Sequence, residues 1–261
     1  MEKPDHWHPG AAYLYVLHLD SPALAWEYLR RHPDYQRDWQ HRHRHPDAAQ
    51  RWGLRLLENP ALDAREAHPA WFPDHDGVVQ VYPDADPPSD AQSFAFWRIP
   101  GRKQLIHDGQ RLLLATRWAG GCLRLAFAPG LTDGMACAYA VRASSDPCAR
   151  CRALAGELGK LMTASAPLAI AASRPSTTAL LELHTLQALD GTLAGASLRT
   201  VAQVLFGAKV IHRDWYADSA LRARVRRLVR RGQALMRGGY RQLAQLPTER
   251  QGRFPLPAKR P

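Results

Sequence analysis

The sequence predicts an α+β protein, with short N-terminal helices, a small antiparallel sheet in mid-chain and an all-α C-terminal part. Three observations carry that prediction. Residues 7–58 form brief apolar and aromatic runs interrupted by Pro and Asp, the form of short helices. Residues 94–143 turn to short runs separated by Asp108-Gly109 and Gly120-Gly121, which are hairpin signals. Ser219–Met236 then repeats apolar residues at helical spacing. A chain of 261 residues can hold one large or two modest domains with real cores. Its 46% hydrophobic and 23% charged content is that of an ordinary globular protein. No apolar run nears the ~18 residues of a membrane span, and MEKPDHWHPG lacks the apolar core of a signal peptide. A cytoplasmic protein with no membrane partner is the expectation.

Taken in order, Ala11–Leu19 is apolar, and Ser21-Pro22 reads as N-cap and first turn of a helix through Arg31. Pro33-Asp34 restarts the chain. Trp26, Tyr28, Tyr35, Trp39 and Trp52 read as the core of a small helical domain over 1–60 rather than as base-stacking platforms. Residues 58–93 are rich in Pro and Asp and read as connection, with a short strand at Val78–Tyr82. FAFWRI, KQLIHDGQRLLLATRW, GCLRLAFAPG and MACAYAVRA supply four or more strands. Ser145-Asp146-Pro147 caps a helix from Cys148 to about Met162, with Leu154, Leu158 and Leu161 on one face. Sheet and helix together define a segment over 61–162, followed by a linker at 163–176. A domain over 177–246 opens with a helix from Thr177 to Leu189, stopped by Asp190-Gly191. The tail 247–261 holds four prolines and no periodicity, and disorder is expected there.

Little in the chain points to catalysis. No Gly-rich phosphate loop, H-E-x-x-H or G-x-S-x-G is present, and the acidic residues do not cluster as a two-metal nuclease needs. His41, His43 and His45 cannot all share one helical face and lack a completing Cys or carboxylate pattern. They read as a solvated, basic helix end. Cys148 and Cys151 form a C-x-x-C without a second pair at matched spacing or a surrounding βαβ unit. Free thiols are the plainer account, with chelation by Cys122, Cys137, Cys148 and Cys151 as the alternative. No enzyme, metal or cofactor is expected.

The C-terminal domain carries the functional signal. In SALRARVRRLVRRGQALM, Leu221, Val225, Leu228, Val229, Leu235 and Met236 fall on one arc of roughly 120°. Arg222, Arg224, Arg226, Arg227, Arg230 and Arg231 take the rest, with no acid to pair them. Upstream, Ser197 caps LRTVAQVLF and Gly207 ends it, leaving a connection of about a dozen residues before the basic helix. That order describes a variant helix-turn-helix. Charge is distributed accordingly. Residues 1–175 hold 20 Lys and Arg against 19 Asp and Glu, residues 176–246 hold 11 against 4, and the tail holds 4 against 1. A polyanion such as double-stranded DNA suits this surface. Arg222 and Arg226, on the N-terminal half, are the base-reading candidates; Arg227, Arg230 and Arg231 are phosphate candidates, and Arg224 lies on the same flank as Arg227 and Arg231. Arg199 and Lys209 can add backbone contacts, and Arg213 completes the candidate DNA-binding set. Trp215 reads as a packing anchor.

Two stretches resemble a known pairing of domains. Trp26-Glu27-Tyr28-Leu29-Arg30-Arg31-His32-Pro33-Asp34-Tyr35, with Arg51-Trp52-Gly53-Leu54 and Glu58-Asn59-Pro60, resembles a small proteobacterial N-terminal domain. Ala202–Gly207, Arg213-Asp214-Trp215, Leu221-Arg222, Arg226–Arg231 and Gly239-Tyr240 resemble its usual C-terminal companion, formerly a domain of unknown function and now regarded as a helix-turn-helix variant. Proteins with both parts resemble transcription activators of excision and conjugative transfer of integrative and conjugative elements. The resemblance implies DNA binding by the C-terminal domain and contact with a protein, either a homologous antiactivator domain or RNA polymerase. A protein-interaction module with little DNA affinity and a nucleic-acid enzyme are the rival readings.

Overall fold

The computed structural model describes residues 7–8, 10–44, 47–72, 74, 77–107, 111–118, 121–143, 146–163 and 175–246. The expected tail at 247–261, the Asp108-Gly109 turn, Gly120, His45, Ser145 and most of the 163–176 linker lie outside them, as does the Leu161 side chain. The fold is α+β, with helices at both ends and a five-stranded sheet between. The chain divides into two compact units, one of residues 1–48, 58–67 and 172–261, the other of residues 49–57 and 68–171.

The first unit is helical. A 3-10 segment (Gly10–His18) leads into α1 (Ser21–Leu29) and α2 (Pro33–Gln40). Asp20, not Ser21, caps α1: its carboxylate accepts from the Ala23 N–H at 3.0 Å, which shifts Pro22 within the first turn. Pro33 opens α2 as expected, and His32 Nδ1 accepts from the Asp34 N–H at 3.1 Å. A one-turn helix, α3 (Ala48–Arg51), lies at the sequence boundary of the two units. Trp26, Tyr28 and Tyr35 are fully buried and Trp52 is buried, the core role expected of them, whereas Trp39 is only half-buried, with the Arg42 guanidinium over its ring at 4.2 Å. Trp26 Nε1 donates to the Leu62 carbonyl at 3.1 Å, and Tyr35 donates to the Glu58 carbonyl at 2.7 Å.

Five later helices belong to the same unit, after α4 (Pro147–Thr163) of the other unit: α5 (Thr177–Leu193), α6 (Leu198–Phe206), α7 (Ala208–Asp214), α8 (Ala220–Ala234) and α9 (Tyr240–Leu243). Ser176, Ser197 and Ser219 cap α5, α6 and α8 through hydroxyl acceptors at 3.1–3.2 Å. Two expectations are corrected here. Asp190-Gly191 does not stop α5, because Asp190 is buried in an ion pair and Gly191 lets Trp7 pack against the helix; a Cβ there would sit 2.9 Å from the Trp7 ring. The connection after Gly207 is not irregular: seven of its residues form α7, which buries Ile211. The basic helix itself runs to Ala234, then passes through a π-type turn (Leu235–Gly239) with Gly238 at φ 149° before α9.

The second unit holds β1 (Val78–Pro83), β2 (Arg102–His107), β3 (Leu112–Trp118), β4 (Gly121–Phe127), β5 (Cys137–Ala140) and α4 (Pro147–Thr163). Strand order is β2-β3-β4-β1-β5. Three of the pairings are antiparallel, as expected of this sheet, while β1 and β4 pair in parallel, Val78 opposite Arg124 and Val81 opposite Phe127. The β2-β3-β4 meander leaves β4 running with β1, so the sheet is mixed. Val79, Val81, Leu114, Leu123, Leu125 and Phe127 alternate onto one face and pack with Ile99, Phe94 and Leu154 and Leu158 of α4. Asp146 caps α4 through the Ala149 N–H at 2.9 Å. FAFWRI is not a strand. Phe96–Arg98 makes a 3-10 turn because the Phe96 N–H is taken by the Asp133 carboxylate at 2.7 Å, leaving Trp97 exposed.

Candidate nucleic-acid interface

α8 is fixed by its apolar stripe. Val225, Leu228, Val229 and Gly232 are buried, and Gly232 sets the approach to α5: a Cβ there would lie 3.0 Å from Leu189 Cβ and 3.2 Å from the Thr185 carbonyl. The remaining circumference is arginine, but the six side chains have different occupations. Arg224 lays its guanidinium over the Phe206 ring of α6 at 4.9 Å. Arg231 pairs with Glu182 of α5, whose side chain is 4% exposed. Arg222 donates to the Ala217 carbonyl at 3.0 Å, and Arg230 Nε to the Arg226 carbonyl at 3.4 Å. Arg226 and Arg227 are exposed, and no described residue accepts a hydrogen bond from or forms an ion pair with either side chain. Arg224, Arg226, Arg227, Arg230 and Arg231 are all exposed; Phe206 and Glu182 engage Arg224 and Arg231, whereas Arg226, Arg227 and Arg230 meet no partner on another helix among the described residues.

The other candidates sit on neighbouring helices. Arg199 on α6 and Lys209 on α7 are exposed. Arg213 on α7 is exposed but pairs with Asp214 at 2.9 Å. Trp215 is half-buried at the end of α7, and Tyr216 beside it is 64% exposed. His184 of α5 faces Phe206, and its pKa is lowered by burial and by the Arg224 charge.

Behind α8 lies a buried polar lattice that no local pattern in the sequence marks. Arg31 grips Asp190 with two bonds, Nε to Oδ1 at 2.6 Å and an η nitrogen to Oδ2 at 2.8 Å, and also reaches Glu27 at 2.6 Å. Tyr13 donates to Asp190 at 2.6 Å, and Tyr28 donates to Glu182 at 2.6 Å. Burial alone would raise the Asp190 and Glu27 pKa values, but the Arg31 charge and hydrogen bonds outweigh it and hold both carboxyls below the ordinary range. Burial, reinforced by the carboxylates they meet, pushes the Tyr13 and Tyr28 hydroxyls far up, keeping them donors. Glu182 thus takes Tyr28 from α1 and Arg231 from α8 on its two oxygens.

With this geometry in view, the comparisons with known families fall into register. Residues 6–56 match a proteobacterial transcriptional regulator-like domain. Residues 126–245 match a family described as a T6SS transcription factor, DNA-binding domain. The chain is similar to proteobacterial transcription regulators. The matches support a transcriptional regulator that has DNA as a partner. Both stretches of the regulator-like similarity contribute to the lattice, Glu27, Tyr28 and Arg31 from the first and Glu182, Asp190 and Arg231 from the second. Residues 76–123, which carry β1 to the start of β4, match a domain of unknown function, DUF7011. No curated protein matches the chain significantly. Among the described residues no helix is long and apolar enough to cross a membrane, and no three His, Cys, Asp or Glu side chains gather as a metal-holding group.

Proposed function

We propose that the protein is a non-enzymatic regulator that binds double-stranded DNA with the outward face of α8. The observation that carries the reading is that face: Arg226, Arg227 and Arg230 project from a helix without a single acidic residue, whose opposite side is anchored in the core. Arg226, with Arg222 beside it on the N-terminal half, reads bases; Arg227 and Arg230 hold phosphates. Arg199 and Lys209 add backbone contacts. Arg231 and Arg213 serve mainly their carboxylate partners. At the finer level the protein activates excision and transfer genes of an integrative and conjugative element, in contact with RNA polymerase or a homologous antiactivator domain, as its resemblance implies. The DNA-binding family that residues 126–245 match is described by its link to T6SS, which favours type VI secretion promoters as a second target class.

The test is a titration of the full chain with promoter duplexes of both classes and scrambled DNA across a salt series. The full chain is needed because α8 packs in a unit that includes residues 1–48. Arg226→Ala should erase promoter preference. Arg227→Ala and Arg230→Ala should weaken all duplexes alike and each reduce the salt slope by about one. If no duplex binds at low salt, α8 is a protein-binding face and the reading fails.

A further inference from the structure

The helical unit contains a cavity of about 500 Å³ that the DNA reading leaves unused, and its lining residues all belong to that unit. Cavities of this size take metabolite-sized ligands. Arg30 and Arg31, at the end of α1, share its wall with Arg65. The carboxylates of the wall are spent. Asp190 takes Arg31 on both oxygens, at 2.6 and 2.8 Å, and Tyr13 at 2.6 Å. Asp63 takes the Arg65 side chain at 2.6 Å and the Arg65 backbone N–H at 2.8 Å.

Two of the guanidinium groups are not spent. Arg30 commits Nε to Glu27 at 2.7 Å and one η nitrogen to the Pro60 carbonyl at 3.3 Å. Arg65 lies over the Tyr15 ring at 4.6 Å and commits Nε and one η nitrogen to Asp63. The second η nitrogen of each makes no hydrogen bond or ion pair among the described residues. Leftover N–H donors beside spent carboxylates suit a ligand that brings acceptors. Charge limits which one. Arg30, Arg31 and Arg65 are matched by Asp63, Asp190 and Glu27, so the wall has no net charge to hold a polyanion. A single carboxylate accepts such bonds with the least added charge. Ala12, Pro60, Ala194 and Leu193, the last 40% exposed, give the cavity an apolar side that suits a hydrocarbon body.

We propose that this cavity binds a small monocarboxylic acid, with its carboxylate on Arg30 and Arg65 and its apolar body against Leu193 and its neighbours. The site does not involve the exposed arginines of α8, so it stands or falls apart from the DNA-binding reading above.

Thermal unfolding of the full chain with 4-phenylbutyrate, at matched ionic strength, tests the proposal, with 4-phenylbutyramide as the uncharged counterpart. The acid should raise the Tm of the helical unit saturably, by roughly 3–6 °C at ten times Kd. The amide should bind about tenfold more weakly, the loss expected when a charge-assisted hydrogen bond becomes a neutral one. Arg65→Gln with Asp63→Asn removes the Arg65 charge without stranding a carboxylate, and should bring the acid down to the affinity of the amide. Ala12→Trp fills the cavity from an exposed position and should remove the shift for both compounds, with far-UV circular dichroism as the check on each fold. Binding to the arginines of α8 instead would survive both variants. No saturable shift with 4-phenylbutyrate, equal affinity for acid and amide in the wild type, or a shift that survives both variants overturns the proposal.

Discussion

Replacing Arg31 by Ala tests whether the buried lattice holds the helical unit together. Its side chain is 9% exposed, and it is bonded to Asp190, 10% exposed, and to Glu27, fully buried. Removing one partner of such a pair strands a buried charge, at a cost of about 3–5 kcal/mol. At roughly 2–4 °C per kcal/mol for a unit of this size, the transition of that unit should fall by about 6–20 °C. The pH profile gives the sharper reading. In the wild type Asp190 has a lowered folded pKa, so its stabilisation is present above the unfolded value near 4 and is lost as pH falls through the folded pKa. In Arg31→Ala, burial of Asp190 is no longer opposed by that guanidinium, and its folded pKa moves above the unfolded value. The variant should therefore gain stability between pH 7 and 5, where the wild type changes little. Circular dichroism melts across that range measure both. An apolar double replacement, Arg31→Met with Asp190→Leu, should recover at least half of the loss. A cost under about 1 kcal/mol with an unchanged pH profile would refute the reasoning.

Three further tests address packing, the Arg231–Glu182 pair and thiol access. Gly232→Ala places a methyl 3.0 Å from Leu189 Cβ and 3.2 Å from the Thr185 carbonyl; pushing α5 and α8 apart should cost about 1–3 kcal/mol by denaturant titration, although Ala favours helix at exposed sites. Arg231→Ala should lower stability, because it leaves the buried Glu182 with Tyr28 alone, whereas Arg227→Ala should leave the melt unmoved; equal melts would mean that the Arg231–Glu182 pair is not formed in solution. Titration with a chromogenic disulfide should show two fast thiols, the exposed Cys148 and Cys151, and two slow ones, the half-buried Cys122 and Cys137. Burial and Asp84 also raise the Cys137 pKa, which slows it further; four equal rates would contradict this.

How much was legible in the sequence follows from the range of each interaction. Caps and stripes are local, so Ser197, Ser219 and the Val225–Val229 face were readable from spacing, and the strands of the β2-β3-β4 meander from their runs. α7 was not, because AKVIHRD is short and the residue before it, Gly207, was read as an end and not also as a beginning. Asp190-Gly191 looks like a stop to any local rule, yet both residues serve distant partners: Tyr13 lies 177 positions away from Asp190 and Arg31 lies 159. The same limit governs the arginines. A helical wheel separates the buried stripe of α8 from its charged arc but treats that arc as uniform, because it contains no neighbours. Phe206 and Glu182 divide it: they engage the exposed Arg224 and Arg231 and leave Arg226, Arg227 and Arg230 without a partner on another helix among the described residues. The face proposed to meet DNA is thus narrower than six arginines, and the acid on α5 that engages Arg231 also accepts a hydrogen bond from a tyrosine of α1. The N-terminal helices therefore help to place α8, the helix proposed to meet DNA.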